Sequence, residues 1–160
     1  MTAATPTTDR LASWVGFLRT HAAITRELNA ELQNEHGLTL SDYEVLYRLS
    51  RAEGGLMRRV DLAESVLLTA SGITRLLEGL ERSGYVEKAS CSADARVTYA
   101  KLTEAGRRKL DEARVTHLRG VEELFTGRYS DDELETLSEL LSRLPVAGRD
   151  CGSDSEPGSS

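Results

Sequence analysis

The stretch at residues 69–88, TASGITRLLEGLERSGYVEK, predicts a helix that stops at a Ser-Gly turn before a strand. Thr69 is a favourable N-cap, because its hydroxyl can accept a backbone N–H of the first helical turn. Apolar residues at intervals of three, one and three define the inner face: Ile73, Leu76, Leu77 and Leu80. The opposite face is polar: Ser71, Thr74, Arg75 and Glu78. The sequence therefore presents small hydroxyls and one arginine at the start of a helix.

The neighbouring segments extend this helix into a larger motif. RRVDLAESVLL at residues 58–68 predicts a preceding short helix, and two short helices joined by a tight turn form a helix-turn-helix. That short helix carries the apolar residues Val60, Leu62, Ala63 and Val66. YVEKAS at 85–90 and VTYAKL at 97–102 predict a β-hairpin with CSADAR at 91–96 as its tip. The pattern over residues 56–102 is that of a winged helix-turn-helix.

Longer helices precede this motif. Residues 9–35 carry one amphipathic stripe: Leu11, Trp14, Leu18, Ala22, Thr25, Leu28 and Leu32. Gly37 ends this helix, and Ser41 with Glu44 three residues later predicts a capping box at the start of the next one. The buried side of the second helix is predicted to contain Tyr43, Leu46, Tyr47 and Leu49. The sequence AEGG at 52–55 breaks it.

Two more helices follow the hairpin. Thr103 begins a long one, and Ser130 with Glu133 caps a last one. Their apolar residues include Leu110, Ala113, Val121, Leu124 and Phe125 in the first and Leu134, Leu137, Leu140, Leu141 and Leu144 in the second. We predict a flexible N-terminus at 1–8, a folded domain at 9–144 and a disordered tail at 145–160, because the tail lacks apolar anchors.

Composition limits the classes of protein to consider. The apolar share is 39%, and no apolar run exceeds three residues, so no membrane span is predicted. The N-terminal MTAATPTTDR lacks a basic, apolar leader, so we expect a cytoplasmic protein. The net charge is −6, yet residues 56–109 carry ten Lys/Arg against seven Asp/Glu, or +3, and the remainder carries −9. This distribution lets a polyanion approach one surface, although an ordinary mixed-charge surface is the alternative.

The winged-helix geometry predicts how that surface binds DNA. The second helix of the motif enters the major groove with its N-terminal residues near the base edges. Arg75 can bind guanine or phosphate bidentately, and Arg96 near the wing tip can enter the minor groove, held in place by Asp94. The candidate DNA-binding residues are Thr69, Ser71, Gly72, Thr74, Arg75 and Arg96, with Asp94 as wing support.

The chain resembles the MarR-type winged-helix regulators from about residue 9 to 144. The resemblance is carried by LTLSDYEVLYRLS (38–50), RVDLAESVLLTASGITRLLEGLERSGYVEK (59–88) and DARVTYAKLTEAGRRKL (94–110). It implies a homodimeric transcription factor, by default a repressor, that binds a palindromic double-stranded operator and is released by a small, commonly phenolic or anionic ligand. It implies no cofactor. One departure is Ala95, which stands where the family often has a second wing arginine. The wing is therefore expected to bind DNA more weakly.

The terminal helices at 9–36 and 103–144 need a partner for their apolar stripes. Pairing with a second copy gives a homodimer of two-fold symmetry, whose half-sites lie about 10 bp apart on DNA, and the resemblance implies that the terminal helices of the two copies intertwine. The complete fold prediction is therefore mainly α, in the order α-α-helix-turn-helix-hairpin-α-α, with the terminal helices forming the dimer. Packing of these stripes within one chain is the alternative.

An effector pocket is predicted among aromatic residues of the first two helices. Trp14, Leu18 and His21 share one helical face, and Tyr43 and Tyr47 share another. The resemblance favours a cleft there, with Arg19 or His21 binding an anionic group. Core packing of the same residues is the alternative.

Other functions have weaker support in the sequence. Cys91 lies in the predicted wing, so a thiol-redox-responsive regulator is one alternative. Three histidines lie far apart without paired spacing, so no metal site is predicted. No phosphate loop, HExxH motif or nucleophile elbow is present, so no catalytic residue is predicted. A winged helix that binds protein instead of DNA is a further alternative.

Overall fold

The computed structural model describes residues 8–66, 70–91 and 94–145. The helices are α1 (Thr8–His36), α2 (Leu40–Arg51), α3 (Arg59–Ser65), α4 (Ala70–Arg82), α5 (Glu104–Leu124) and α6 (Asp131–Leu141). The strands are β1 (Leu56–Arg58), β2 (Val86–Cys91) and β3 (Asp94–Leu102), and short 3₁₀ turns span Glu53–Gly55 and Thr126–Arg128. This order confirms the predicted mainly helical winged helix-turn-helix. Apart from Thr8 and Pro145, the predicted flexible N-terminus and disordered tail lie outside the described residues.

The small sheet contains one strand more than the sequence predicted. The predicted hairpin is present, with β2 antiparallel to β3, and its strands extend into the predicted tip, of which residues 92–93 lie outside the described ranges. The additional strand, β1, pairs antiparallel with the other edge of β3 and gives the order β1-β3-β2. In its register Arg58 lies opposite Tyr99, so the start of α3 is held against the wing.

Hydroxyl caps fix where three of the helices begin. Ser130 and Glu133 form the predicted capping box of α6, and Thr103 is the N-cap of α5 as predicted. The predicted Ser41–Glu44 box is wrong, because the box that starts α2 is formed by Thr39 and Asp42. Thr39 N donates to Asp42 Oδ2 at 2.8 Å, while the Thr39 hydroxyl accepts from Asp42 N at 3.0 Å. The proposed N-cap of α4, Thr69, is outside the described residues.

The hydrophobic core lies between the C-terminal end of α1, α2, α3, α4, the sheet and the first half of α5. Its fully buried side chains include Leu32, Val45, Leu46, Leu49, Leu62 and Leu77. Within α4 the predicted inner face is buried at Ile73, Leu77 and Leu80 and half-buried at Leu76. Among the apolar residues of α3, Val60 is 61% exposed, whereas Leu62 and Ala63 are buried. It lies two residues before Leu62, which places it on the opposite face of α3.

Helices α1 and α5 cross closely at Gly120. A Cβ at that position would lie 2.6 Å from Glu31 Oε2 and 2.7 Å from Leu28 Cδ2, so a larger residue would require both side-chain ends to shift. Nearby, the buried Thr116 hydroxyl donates to Glu35 Oε2 at 2.7 Å and therefore accepts from His36 Nε2 at 2.8 Å. Hydrogen bonds from Thr116 and Arg119 lower the pKa of Glu35 below its ordinary 4.5.

The N-terminal half of α1 projects beyond this packed region. Trp14 is 57% exposed, and Leu11, Val15, Phe17 and Leu18 are exposed with it. Only the C-terminal part of the predicted stripe is buried, at Leu28 and Leu32. Helix α6 contains no buried residue, although Leu134 and Leu137 are half-buried. The two terminal helices thus leave apolar side chains in contact with solvent in a single copy of the chain.

Gly106→Ala is expected to destabilise the fold. A Cβ there would lie 2.0 Å from the backbone oxygen of Tyr85, and such overpacking costs about 1–3 kcal/mol. The free energy of unfolding, measured by urea denaturation, should fall by that amount. The control is Gly79→Ala, whose Cβ would meet only Arg82 Nη2, at 3.8 Å, and which should stabilise α4 by up to about 1 kcal/mol. A Gly106→Ala protein as stable as the wild type would contradict the packing described.

Candidate nucleic-acid interface

Helix α4 presents its polar residues as the sequence predicted. Ser71, Arg75 and Glu78 are exposed, whereas Gly72 and Thr74 are half-buried. The apolar face of α4 anchors the helix on the core, so the orientation of the polar face is fixed by packing. The short side chains in the first turns allow another molecule to approach the backbone closely. The exposed guanidinium of Arg75 can then contact the same molecule.

The wing lies beside this helix and carries Arg96. Side chains on β3 alternate between its two faces, and the face buried at Ala100 and Leu102 continues outward to Thr98 and Arg96, both of which are exposed. The wing is joined to α4 by an ion pair between Lys88 Nζ and Glu81 Oε2 at 3.8 Å. The side chains of Cys91 and Asp94 lie outside the described part of the structure, so their proposed roles stay predictions.

An arginine at the start of α3 is held in a defined position. Arg58 Nε donates to Asp61 Oδ2 at 2.7 Å, and Arg58 Nη2 donates to Asp61 Oδ1 at 2.9 Å. This bidentate bond raises the pKa of Arg58 further above its ordinary value. Both groups are on the surface, so the pair contributes little to stability. Its effect is to neutralise Arg58 and to fix its direction.

The six predicted effector residues do not line one cavity of the protomer. A cavity of about 390 Å³ between α2 and α5 contains Tyr43 and Tyr47, and its other lining residues are Leu40, Glu44, Arg48, Arg114, His117 and Leu118. A second cavity, of about 420 Å³, contains His21 and lies between α1, α6 and the turn after α5; its walls include Phe17, Phe125, Tyr129 and Leu137. Trp14, Leu18 and Arg19 line neither and are exposed.

His117 is one of the six residues of the α2–α5 cavity that the sequence did not predict. Its ring packs against Tyr43 with a centroid distance of 4.4 Å, and burial lowers the pKa of His117 below its ordinary 6.5. Burial also raises the pKa of Tyr43. His117 Nδ1 is buried and has no hydrogen-bond partner among the residues that the structure describes. A neutral imidazole with an unsatisfied nitrogen is thus held beside a cavity that also contains Arg114.

Two further features are absent from residues 8–66, 70–91 and 94–145. No helix there is both long and apolar enough to cross a membrane. No group of three or more His, Cys, Asp or Glu side chains in the same ranges has the proximity that a metal ion needs.

A helix-turn-helix joined to a three-stranded sheet with a projecting hairpin defines a winged helix-turn-helix protein. Known proteins with the same fold include one family of regulators. Residues 36–97 match the model of the MarR family. The HTH-type transcriptional regulator MhqR of Bacillus subtilis is 25% identical over 138 residues, which cover 86% of this chain and 92% of MhqR. Residues 36–97 thus carry the MarR-type winged helix, and MhqR, which matches most of the chain, is a transcriptional regulator.

Solved structures agree with this assignment. AbsC, a MarR family transcriptional regulator from Streptomyces coelicolor, has 28% identity and a TM-score of 0.81, with 88% of this chain and 95% of AbsC covered. A mutant MarR from E. coli, solved in complex with operator DNA, has 24% identity and a TM-score of 0.73, with 88% of this chain and 100% of that chain covered. The second likeness shows that the fold is shared with a protein that binds operator DNA.

Proposed function

We propose that this protein binds a pseudo-palindromic double-stranded DNA operator as a homodimer, represses transcription from it in the cytoplasm, and is released by a small phenolic or anionic ligand. The observation that carries the DNA-binding part is the arrangement of α4 and the wing. The outward face of α4 offers small hydroxyls and Arg75 at its N-terminal end, and Arg96 extends from the adjacent strand. Thr69, Gly72 and Asp94 belong to the same proposed surface.

The two arginines have different tasks in this proposal. Arg75 enters the major groove with α4, where a guanidinium can bind the O6 and N7 atoms of guanine together. Ser71 and Thr74 bind phosphates or base edges without holding the helix backbone away from the DNA. Arg96 enters the adjacent minor groove, where the negative potential of the DNA is concentrated. Base contacts then supply sequence preference, and phosphate contacts supply most of the affinity.

Arg75→Ala and Arg96→Ala are each expected to abolish operator binding at physiological salt. Loss of a bidentate base contact costs about 1–3 kcal/mol in each half-site. Affinity is measured by fluorescence anisotropy on a duplex selected from random DNA by the wild-type protein. The matched control is Arg82→Ala, which removes the same charge from the last turn of α4, farthest from the groove. The Arg75→Ala and Arg96→Ala proteins should both remain dimeric in sedimentation analysis.

Unchanged affinity in both variants would reject the assigned surface. A wild-type protein that enriches no sequence from the random pool, and binds every duplex equally weakly, would instead favour a winged helix that binds a protein partner.

The homodimer is proposed from the exposed apolar faces of the terminal helices. Leu11, Trp14 and Leu18 lie on the free half of α1, and Leu140 and Leu141 lie on α6, all of them exposed in one copy. Apolar surface of this extent is stabilised when a second copy covers it. The resulting two-fold symmetry places two copies of α4 against two successive major grooves on one side of the DNA.

Leu141→Glu is expected to convert the dimer to a monomer. Leu141 lines the apolar cavity beside Phe17, and a carboxylate there would have to be desolvated when the second copy binds. Sedimentation velocity at micromolar protein concentration gives the mass. Val60→Glu places the same charge on an exposed valine of the DNA-binding lobe and should leave the dimer intact. A dimeric Leu141→Glu protein would mean that the interface lies elsewhere.

The cavity between α2 and α5 is the proposed effector site. A phenolic hydroxyl can donate to or accept from His117 Nδ1, whichever tautomer the ring adopts. Arg114, on the wall of the same cavity, can bind a carboxylate. Helix α5 continues directly from β3, so a ligand that displaces α5 changes the position of the wing. A hundredfold loss of DNA affinity needs a preference of about 2.7 kcal/mol for the non-binding arrangement.

His117→Leu is expected to abolish release by a phenolic acid. The probe is 2-hydroxybenzoate, titrated against the preformed complex with operator DNA, and dissociation is followed by anisotropy. His117→Leu removes the unsatisfied ring nitrogen but keeps an apolar side chain in the cavity. His21→Leu is the control, because His21 lies in the other cavity. If His21→Leu alone lost the response, the effector site would be between α1 and α6.

A further inference from the structure

A third cavity lies between the start of α3 and the wing strand β3. Its volume is about 300 Å³, and it is lined by Arg58, Arg59, Val60, Arg96, Val97 and Thr98. The cavity exists because β1 pairs with β3: the register that places Arg58 opposite Tyr99 brings Arg59 next to the exposed end of β3. Residues from two separate segments of the chain thus place three arginines around one small cavity.

The charges of these arginines are not equivalent. Arg58 is neutralised by its bidentate bond to Asp61. Arg59 forms no ion pair among the residues that the structure describes, and its Nη2 atom is buried without a hydrogen-bond partner. Arg96 adds a second positive charge to the wall. Asp61 is thus engaged by Arg58, while no described carboxylate compensates the charge of Arg59 on the cavity wall.

A buried guanidinium nitrogen without an acceptor is costly, because it has lost water and gained no replacement. An anion with several acceptor oxygens satisfies it and compensates the positive charge. A phosphate group fits this requirement, since arginine binds two phosphate oxygens in parallel. We infer that this cavity binds a phosphate of the DNA backbone, with Arg59 as its principal ligand and Arg96 as its neighbour.

The position of the cavity selects DNA as the source of the phosphate. The inference rests on the proposed function, in which α4 lies in the major groove and the wing lies at the adjacent minor groove. The strand of phosphates between these grooves passes between the helix-turn-helix and the wing, where the cavity is located. In helix-turn-helix proteins the first helix of the motif crosses this backbone. Arg59 begins that helix in this chain.

The test is the salt dependence of DNA binding by Arg59→Gln, measured on operator and on random duplexes. The glutamine keeps a polar side chain of similar direction but removes the charge. The slope of log K against log salt should fall by about 1.8 for the dimer, or about 0.9 for each of two phosphate contacts. Affinity should fall equally for both duplexes, because a phosphate contact carries no sequence information. Arg59→Lys keeps the charge and should retain the wild-type slope.

Arg82→Ala serves again as the matched control, and its slope should not change. Each variant is first checked for its melting temperature, which should be unchanged or raised in Arg59→Gln because the unsatisfied buried cation is removed. An unchanged slope in Arg59→Gln, with Arg75→Ala still losing operator preference, would overturn this inference alone. If the wild type bound neither duplex, the proposed function would fail with it.

A free phosphate ion is the other ligand that this cavity could bind, and a measurement with inorganic phosphate distinguishes it from a DNA phosphate. The melting temperature is measured with and without phosphate at constant ionic strength. Stabilisation of the wild type but not of Arg59→Gln, combined with an unchanged salt slope on DNA, would assign the cavity to a free anion and overturn the DNA assignment. A reduced slope supports the DNA assignment whether or not free phosphate also binds.

Discussion

The close approach of α5 to the turn before β2 is the constraint on which the rest of the structure depends. The Thr103 hydroxyl donates to the Gly84 backbone oxygen at 2.6 Å, and Thr103 N donates to the Tyr85 oxygen at 3.1 Å. Gly106 then passes against Tyr85 with no space for a side chain. The first turn of α5 is therefore fixed to the end of the helix-turn-helix. Since α5 is a single helix of 21 residues, it joins the winged helix to α1 without a flexible link.

Much of this fold could be predicted because its signals are local. The spacing of leucines in α4 identified both the buried and the outward face, and Ser130 with Glu133 marked the start of α6. Local signals failed where two alternatives had the same pattern. Thr39–Asp42 and Ser41–Glu44 both fit a capping box, and the choice depends partly on α1, whose Asn29 accepts a hydrogen bond from Leu40 N at 2.9 Å. Strand β1 is only three residues long and is defined by pairing with β3, far along the chain.

The candidate sites also differ in whether a local sequence pattern or the packing of distant segments determines them. The outward residues of α4 follow from helical periodicity, so Ser71 and Arg75 could be found in the sequence. The α2–α5 cavity depends on how two helices pack, and nothing in the sequence near His117 indicates that it lies against Tyr43. Arg59 was missed for a related reason. Its neighbours on β3 come close only through the pairing of β1, which sequence patterns did not predict.

The free half of α1 has a consequence for the behaviour of the protein in the cell. Within the proposed dimer, part of the free energy that keeps α1 and α6 folded comes from the second copy, so stability follows mass action and rises with the amount of protein. Dilution would lower both the stability of the fold and the affinity for DNA, because both require the dimer. Occupancy of an operator would then change more steeply with the number of protein molecules than it would for a regulator that is stable as a single chain. Operator occupancy would thus depend on gene dosage, because dimerisation through the exposed face of α1 depends on protein concentration.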